Sequence, residues 1–164
     1  MKHELIIIGG GASGILAAIN AKNLGLDVSI IEGNNRIAKK LLTTGNGRCN
    51  ITNKCTDFNR FHSENSEFFY PVLDSFTFSH TIDFFEQLGL PIITLEDGKM
   101  YPMSLQASSV VDILKASLEE REIPTYLNTK VTDIKAYKNG FKIFTNLDET
   151  YECRKLILSC GGKS

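Results

Sequence analysis

Cysteine and histidine are scarce in this chain. Four cysteines stand at Cys49, Cys55, Cys153 and Cys160, no two of them in a CxxC pair, and the three histidines, His3, His62 and His80, are scattered. That pattern argues against a zinc site and against a disulfide framework, and it reads as free thiols in the reducing cytoplasm. Excess charge is lacking too. Eighteen Lys and Arg against 19 Asp and Glu leave a net charge of −1, which offers no electrostatic reason to expect nucleic acid or an anionic membrane as partner. No long hydrophobic run occurs either. The apolar stretch Leu5–Ile19 is too short to span a bilayer, carries four glycines and follows Glu4 rather than a basic segment, so it reads neither as a membrane helix nor as a signal peptide. Internal repeats and low-complexity tracts are absent.

What is present is ordinary globular composition. The chain has 164 residues, 42% of them hydrophobic and 23% charged, a length expected to form one domain and to bury roughly two-thirds of its unfolded surface. Leu5-Ile6-Ile7-Ile8 is a continuous apolar run, which predicts a central strand of a parallel sheet. Ala12 to Leu24 has helical spacing with Gly25 as its stop, and Val28 to Glu32 reads as a second strand, completing a βαβ unit. Residues 33–57 are loop-like and glycine-rich, with one helical turn predicted over Lys39–Leu42, and a long loop of this kind inside a compact domain points to function. Eight of the ten phenylalanines fall in residues 58–89 and are read as packing. Ile82, Phe85 and Leu88 there predict a helix with Ser79 as N-cap and Gly89 as stop. Asp97-Gly98 predicts a hairpin, residues 105–121 an amphipathic helix and residues 124–127 a short strand. Residues 130–154 predict a three-stranded antiparallel meander, followed by a separate apolar strand from Lys155 to Cys160. The chain stops just past that strand, in Gly161-Gly162-Lys163-Ser164, which suggests a fragment of a longer protein.

The strongest local signal is Gly9-Gly10-Gly11-Ala12-Ser13-Gly14, a GxGxxG with a strand before it and a helix after it. Gly9 suits the tight turn, Gly11 presents no side chain to a pyrophosphate, and Gly14 lets helix and strand approach. The helix start at Ala12 and Ser13 offers unpaired N–H groups and a positive dipole end to phosphates. Glu32 stands 18 residues beyond Gly14, where a carboxylate can accept from both hydroxyls of an adenosine ribose and repel a 2′-phosphate. The bland alternative is a solvated strand end. FAD and NAD both use this fingerprint, but a meander inserted before a strand ending in Gly161-Gly162 is unlike a plain NAD domain.

The stretch from Ala38 to Asn53, Ala-Lys-Lys-Leu-Leu-Thr-Thr-Gly-Asn-Gly-Arg-Cys-Asn-Ile-Thr-Asn, resembles the signature of the YhiN/BaiN-like NAD(P)/FAD-dependent oxidoreductases. Asp97-Gly98-Lys99-Met100-Tyr101-Pro102 is similar to that family's Gly-Arg-Val-Phe-Pro segment. Leu158-Ser159-Cys160-Gly161-Gly162 is similar to its Ala-Thr-Gly-Gly, with Ser159-Cys160 standing where Ala-Thr is common. The resemblance runs from Leu5 to the last residue. It implies a Rossmann-like α/β FAD-binding domain of the glutathione-reductase type, three-layered, with a parallel sheet and a β-meander crossover. Residues 1–164 would be its N-terminal part, lacking an inserted second domain and a C-terminal segment that closes the flavin site.

On that resemblance, cofactor contacts are expected from Lys40, Gly45, Gly47, Arg48, Cys49 and Asn50, from the backbone of Val131 and from Gly161, in addition to Gly9, Gly11, Ala12, Ser13, Gly14 and Glu32. Arg48 suits a pyrophosphate or flavin because a guanidinium neutralises charge and donates two hydrogen bonds at once. Asn50 can donate and accept toward a flavin's polar edge. Cys49 is read as loop packing ahead of a redox thiol, although Arg48 beside it would lower its pKa. Cys160 is read as a small buried residue. No catalytic acid or base can be named, because in flavoenzymes the flavin carries the hydride. The expected activity is an FAD-dependent oxidoreductase, its flavin reduced by NAD(P)H and its hydride passed to a small molecule, with the short chain alone inactive. The rival readings are an NAD-dependent dehydrogenase domain and a non-catalytic dinucleotide-binding fragment.

Overall fold

The computed structural model describes residues 1–55, 60–62 and 64–162. The chain divides into two compact units, Met1–Leu41 with Leu114–Ser164, and Leu42–Ile113. The first unit grows from strand β1 (Lys2–Ile8), whose Leu5, Ile6, Ile7 and Ile8 are all buried, as befits a strand covered on both faces. Helix α1 (Ala12–Asn23) returns with Ile15, Ala18 and Ile19 inward, and Gly25 at φ +84° ends it. Strand β2 (Val28–Ile31) then pairs parallel to β1, Leu5 opposite Val28 and Ile8 opposite Ile31.

In the second unit, Leu41–Gly47 makes tight turns interrupted at Thr44–Asn46. The turn expected over Lys39–Leu42 is there: the Leu41 N–H donates to the Ala38 carbonyl at 2.9 Å across Lys39 and Lys40, and the tight turns from Leu41 follow directly. Strands β3 (Thr52–Asn53), β4 (Ile92–Thr94) and β5 (Lys99–Pro102) form an antiparallel sheet in the order β3–β5–β4. Asp97-Gly98 closes the hairpin, with Gly98 at φ +77°. Helices α2 (Tyr70–Ser75) and α3 (Phe78–Gln87) precede it. The N-cap of α3 is Thr77, not Ser79. The Thr77 hydroxyl accepts from the His80 N–H while His80 Nδ1 accepts from the Thr77 N–H, so a histidine takes the place that Glu or Gln holds in the usual capping box. The aromatic segment is also less packed than expected. Phe85 is buried, but Phe68 is 78% exposed and Phe61, Tyr70 and Phe76 are exposed as well, their rings resting on one another or on neighbours, as Phe61 on Phe69 at 5.3 Å. The expectation for Phe58 lies outside the described residues, as does that for Lys163-Ser164.

Helix α4 (Ala107–Glu120) follows, with Ala107, Val110, Leu114 and Leu118 buried. It starts two residues later than its periodicity suggests because Leu105 takes φ +53°. Four further strands follow: β6 (Thr125–Tyr126), β7 (Val131–Tyr137), β8 (Gly140–Thr145) and β9 (Thr150–Leu158). The sheet of the first unit has the order β6–β2–β1–β9–β8–β7, parallel from β6 to β9 and antiparallel from there on.

The meander's third strand and the expected separate strand from Lys155 are therefore one element. No turn residue lies between Arg154 and Lys155, so β9 serves β8 with Thr150–Cys153 and β1 with Glu152–Leu158. This double service packs Ile143, Tyr151 and Cys153 of the meander against Ile6, Ile8 and Ile31 of the parallel strands, with Tyr126 at their margin. Among the described residues no helix is long and apolar enough to cross a membrane.

The meander core carries ionisable groups whose neutral forms the fold prefers. Burial pushes the Cys153 thiol and the Tyr126 and Tyr151 phenols up, and the Tyr151 hydroxyl, donating to Glu149 Oε2 at 2.7 Å, is raised further by that bond. A pKa raised in the folded state leaves stability intact below the unfolded pKa and removes it above. Folding stability measured by urea titration should stay level from about pH 6 to 8 and fall from about pH 9 upward. Tyr151→Phe should flatten that fall, and an unchanged alkaline slope in this variant would contradict the assignment.

Candidate functional site

The carboxyl ends of β1, β2 and β9 converge on the glycine bend, and the bend is held from several sides. The Gly9 N–H donates to the Ile31 carbonyl at 2.8 Å, the Ser159 N–H donates to the Ile8 carbonyl at 2.8 Å, and the Ala38 N–H donates to the Gly10 carbonyl at 2.7 Å. Glu32 is not a solvated strand end. Its side chain is buried, with Oε2 accepting from the Gly10 N–H at 2.7 Å and Oε1 accepting from the backbone and side-chain N–H groups of Asn34 at 2.7 and 2.6 Å. Burying a carboxylate is tolerable when donors saturate it, and here three of its four lone-pair positions are taken.

The three motif glycines differ in what requires them. A Cβ on Gly9 would overlap the Ser159 backbone, and one on Gly14 would overlap the Gly9 carbonyl and approach Ser159 Oγ to 2.6 Å. Gly9 also takes φ +110°. Close packing therefore demands glycine at both. Gly11 is different. It is the N-cap of α1, its backbone is extended at φ −80° and ψ −176°, and a Cβ there meets nothing within 4 Å. Among the described residues nothing requires glycine at 11, so its missing side chain keeps space open in front of the helix.

Beside that space, no side chain caps α1 and no acidic residue stands in its first turn. The first N–H groups of a helix have no intrahelical partner, and here they open at the exposed Ala12 and Ser13 with the positive end of the helix dipole behind them. Lys40 and Gly161, far apart in sequence, are neighbours: Lys40 Nζ lies 3.9 Å from where a Gly161 Cβ would sit. Val131 begins β7 half-buried, and its neighbour Lys130 lies against Gly33, just past Glu32. The structure thus gathers Gly9, Gly11, Ala12, Ser13, Gly14 and Glu32 at one strand end and brings Lys40 to Gly161 within the same unit.

The Gly45–Asn50 loop belongs to the second unit. It is knotted on itself by the Arg48 N–H donating to the Gly45 carbonyl and the Cys49 N–H donating to the Thr44 carbonyl, both at 3.1 Å, and the following Ile51 N–H reaches the Met100 carbonyl on β5 at 2.9 Å. Gly45 at φ +54° has no room for a Cβ, which would come within 2.9 Å of the Asn50 nitrogen, whereas Gly47 at φ +81° stands free. Gly47, Arg48 and Asn50 are exposed, while Cys49 is buried. Burial raises the Cys49 thiol's pKa and a hydrogen bond with Thr44 offsets this only in part, so the expected lowering by Arg48 is corrected: the thiol is buried while Arg48 stands exposed, and desolvation sets the direction. Cys160, expected to be buried, is exposed, as are Ile157 and Leu158 just before it, so among the described residues no packed layer covers this end of β9.

Sequence reasoning missed Ser159 and Asn34. Asn34 follows Glu32 by two residues, a spacing at which Asn commonly bonds back to a neighbour. The Ser159 Oγ reaches carbonyls 150 and 151 residues away, 3.0 Å from that of Gly9 and 3.1 Å from that of Ile8, and no local pattern announces such a contact.

A parallel βαβ unit with its glycine bend and buried acidic residue, extended by a meander strand on the far side of β1, defines a Rossmann-type α/β domain. Residues 3–164 match the HI0933-like protein Rossmann domain, and the chain belongs to this family. It is 41% identical over 164 residues to the 3-dehydro-bile acid delta(4,6)-reductase of Clostridium scindens and 29% identical over 163 residues to the ribosomal RNA dihydrouridine synthase of Escherichia coli, covering 99% of this chain and 40% of the relative in each case. The chain thus spans about 40% of the length of these curated relatives. Its fold is shared with a ferredoxin-flavin thioredoxin reductase from Clostridium acetobutylicum, at a TM-score of 0.57 and 18% identity over 99% of this chain and 39% of that one.

The contrast between the glycines gives a direct test. Gly11→Ala should leave urea-determined stability within about 1 kcal/mol of wild type, since its backbone and surroundings accept a methyl group. Gly14→Ala should cost about 3 kcal/mol through overpacking. Equal losses in the two variants would show that Gly11 too is a packing residue.

Proposed function

We propose that this chain is the N-terminal, cofactor-binding part of an FAD-dependent oxidoreductase whose remaining segments, an inserted second domain and a C-terminal segment closing the flavin site, make up the length seen in its relatives. The observation that carries the reading is Gly11, a glycine the fold does not need, standing before uncapped helical N–H groups. A diphosphate satisfies those N–H groups and meets the helix dipole, and the room in front of Gly11 lets it come close. Glu32, fixed beside the bend, accepts from the adenosine ribose through its remaining lone pair and by exchange with the Asn34 amide, and it disfavours a 2′-phosphate by like charge. The residues therefore fit the ADP half of the cofactor.

Lys40 and Gly161 together, the backbone at Val131, and Gly45, Gly47, Arg48, Cys49 and Asn50 of the second unit supply the further cofactor contacts, with Cys49 contributing through its backbone since its thiol is buried. Bound flavin supplies hydride transfer, and the protein's own task is to bind and orient it. NAD(P)H is the proposed reductant and a small molecule the substrate, in line with the bile-acid reductase name of one relative. The free cysteines support a reducing compartment, the cytoplasm.

The polypeptide carrying this chain together with the remainder its relatives possess should purify yellow or take up FAD on reconstitution, and it should oxidise NADH or NADPH. The 164-residue chain alone should bind ADP weakly and turn nothing over. Gly11→Val and Glu32→Arg should each lower FAD affinity by at least about a hundredfold, roughly 2.7 kcal/mol, while far-UV circular dichroism stays that of wild type. A full-length protein that cannot be loaded with FAD sinks the reading. Tight NAD binding without FAD would favour a dehydrogenase domain instead.

A further inference from the structure

The peptide group joining Gly9 to Gly10 is gripped at both ends by side chains from the two strands flanking β1. Its carbonyl accepts from the Ser159 hydroxyl, 3.0 Å away at the end of β9, and its N–H donates to Glu32 Oε2 at 2.7 Å, just past β2. The same Ser159 hydroxyl lies 3.1 Å from the Ile8 carbonyl, which the Cys160 thiol also approaches at 3.5 Å. The next peptide is held at its carbonyl alone, by the Ala38 N–H at 2.7 Å. In a trans peptide carbonyl and N–H point opposite ways, so the Gly11 N–H is directed away from Ala38. Consecutive glycines have the widest conformational freedom of any residues. The directions of the N–H groups in this bend therefore depend on what holds the two peptide planes.

We propose that Ser159 is a positioning residue for diphosphate binding. By holding the Gly9 carbonyl, its hydroxyl fixes the plane that hands the chain into the open space at Gly11, and so sets the direction of the N–H groups that would meet the phosphates. This rests on the dinucleotide reading above and adds to it a residue that does not itself contact the ligand. Ser159 suits the task sterically as well as by hydrogen bonding, because its backbone fills the place a Gly9 Cβ would take and its Oγ comes within 2.6 Å of a Gly14 Cβ position. It touches two of the three glycines of the bend and leaves the space before the third open.

The test compares ADP and adenosine binding, by calorimetry or by displacement of a fluorescent nucleotide, in wild type and Ser159→Ala. The Ala variant should fold as wild type by circular dichroism, bind ADP about tenfold more weakly, and keep its adenosine affinity, because only the diphosphate reads the bend. Equal weakening toward both ligands, or unchanged ADP affinity, overturns the inference while leaving the dinucleotide reading standing. Wild-type protein that binds neither ADP nor FAD overturns both. Should Ser159→Ala not fold, Ser159→Cys, which keeps a weaker hydrogen donor at the same place, carries the same comparison: a selective loss of ADP affinity of about threefold supports the role, and no selective loss ends it.

Discussion

Three strand ends and one helix start meet here in less space than side chains would need, and the rest of the first unit is arranged around that meeting. β1 is flanked by β2 and β9, and its last residues hand the chain into α1 through a turn where Gly9 and Gly14 press against each other and against Ser159. Backbone at such short range must have its polar groups accounted for, since an unpaired buried N–H or carbonyl costs as much as a lost hydrogen bond. Ile8, Gly9 and Gly10 are satisfied by partners drawn from positions 31, 32, 38 and 159. Among the described residues, what remains without a partner lies on the helix side, at the N–H groups of Gly11, Ala12 and Ser13. The close packing of two glycines thus creates the opening at the third.

That division of labour explains what could be read in the sequence. The apolar run Leu5–Ile8, the GxGxxG and the spacing to Glu32 are local signals, and the structure has the run as a buried central strand, the glycines in the bend after it and Glu32 beside that bend. The burial of Glu32 by Asn34 and Gly10 was not legible, because a carboxylate at a strand end is satisfied or solvated according to atoms that periodicity does not describe. Nor was Ser159. Its partners are settled only once β9 is known to lie against β1, a pairing across some 150 residues. The break expected at Lys155 fails for a similar reason. Two strands and one long strand give the same apolar pattern when the chain changes neighbours without turning.

In the second unit the limits of local reading are sharper. The hairpin at Asp97-Gly98 needed only its turn residues and was found. A phenylalanine-rich segment predicts packing between helices and sheet, yet Phe68, Tyr70 and Phe76 stay exposed beside short helices that bury little apolar area of their own. The cap of α3 escaped notice because histidine at the third helical position is not the residue the capping rule names, although its Nδ1 accepts as a Gln oxygen would. Here chemistry overrode identity: the position required an acceptor of the right reach, and the histidine Nδ1 provides one.

The same distinction bears on the departures of this chain from its family's pattern. Ser159-Cys160 stands where the family signature that the chain resembles has Ala-Thr, and by identity alone that looks like erosion of a motif. By chemistry it moves a hydroxyl one residue earlier, onto the carbonyls of Ile8 and Gly9, and leaves a thiol one residue later that reaches one of the same oxygens. This strand end therefore carries two side-chain donors, the hydroxyl and the weaker thiol, aimed at adjacent carbonyls. Since the glycine peptide so held is the one Glu32 grips from the other side, Ser159 belongs to the glycine bend and not to the loop beyond it, and it acts on the direction of backbone N–H groups more than on the packing of the sheet.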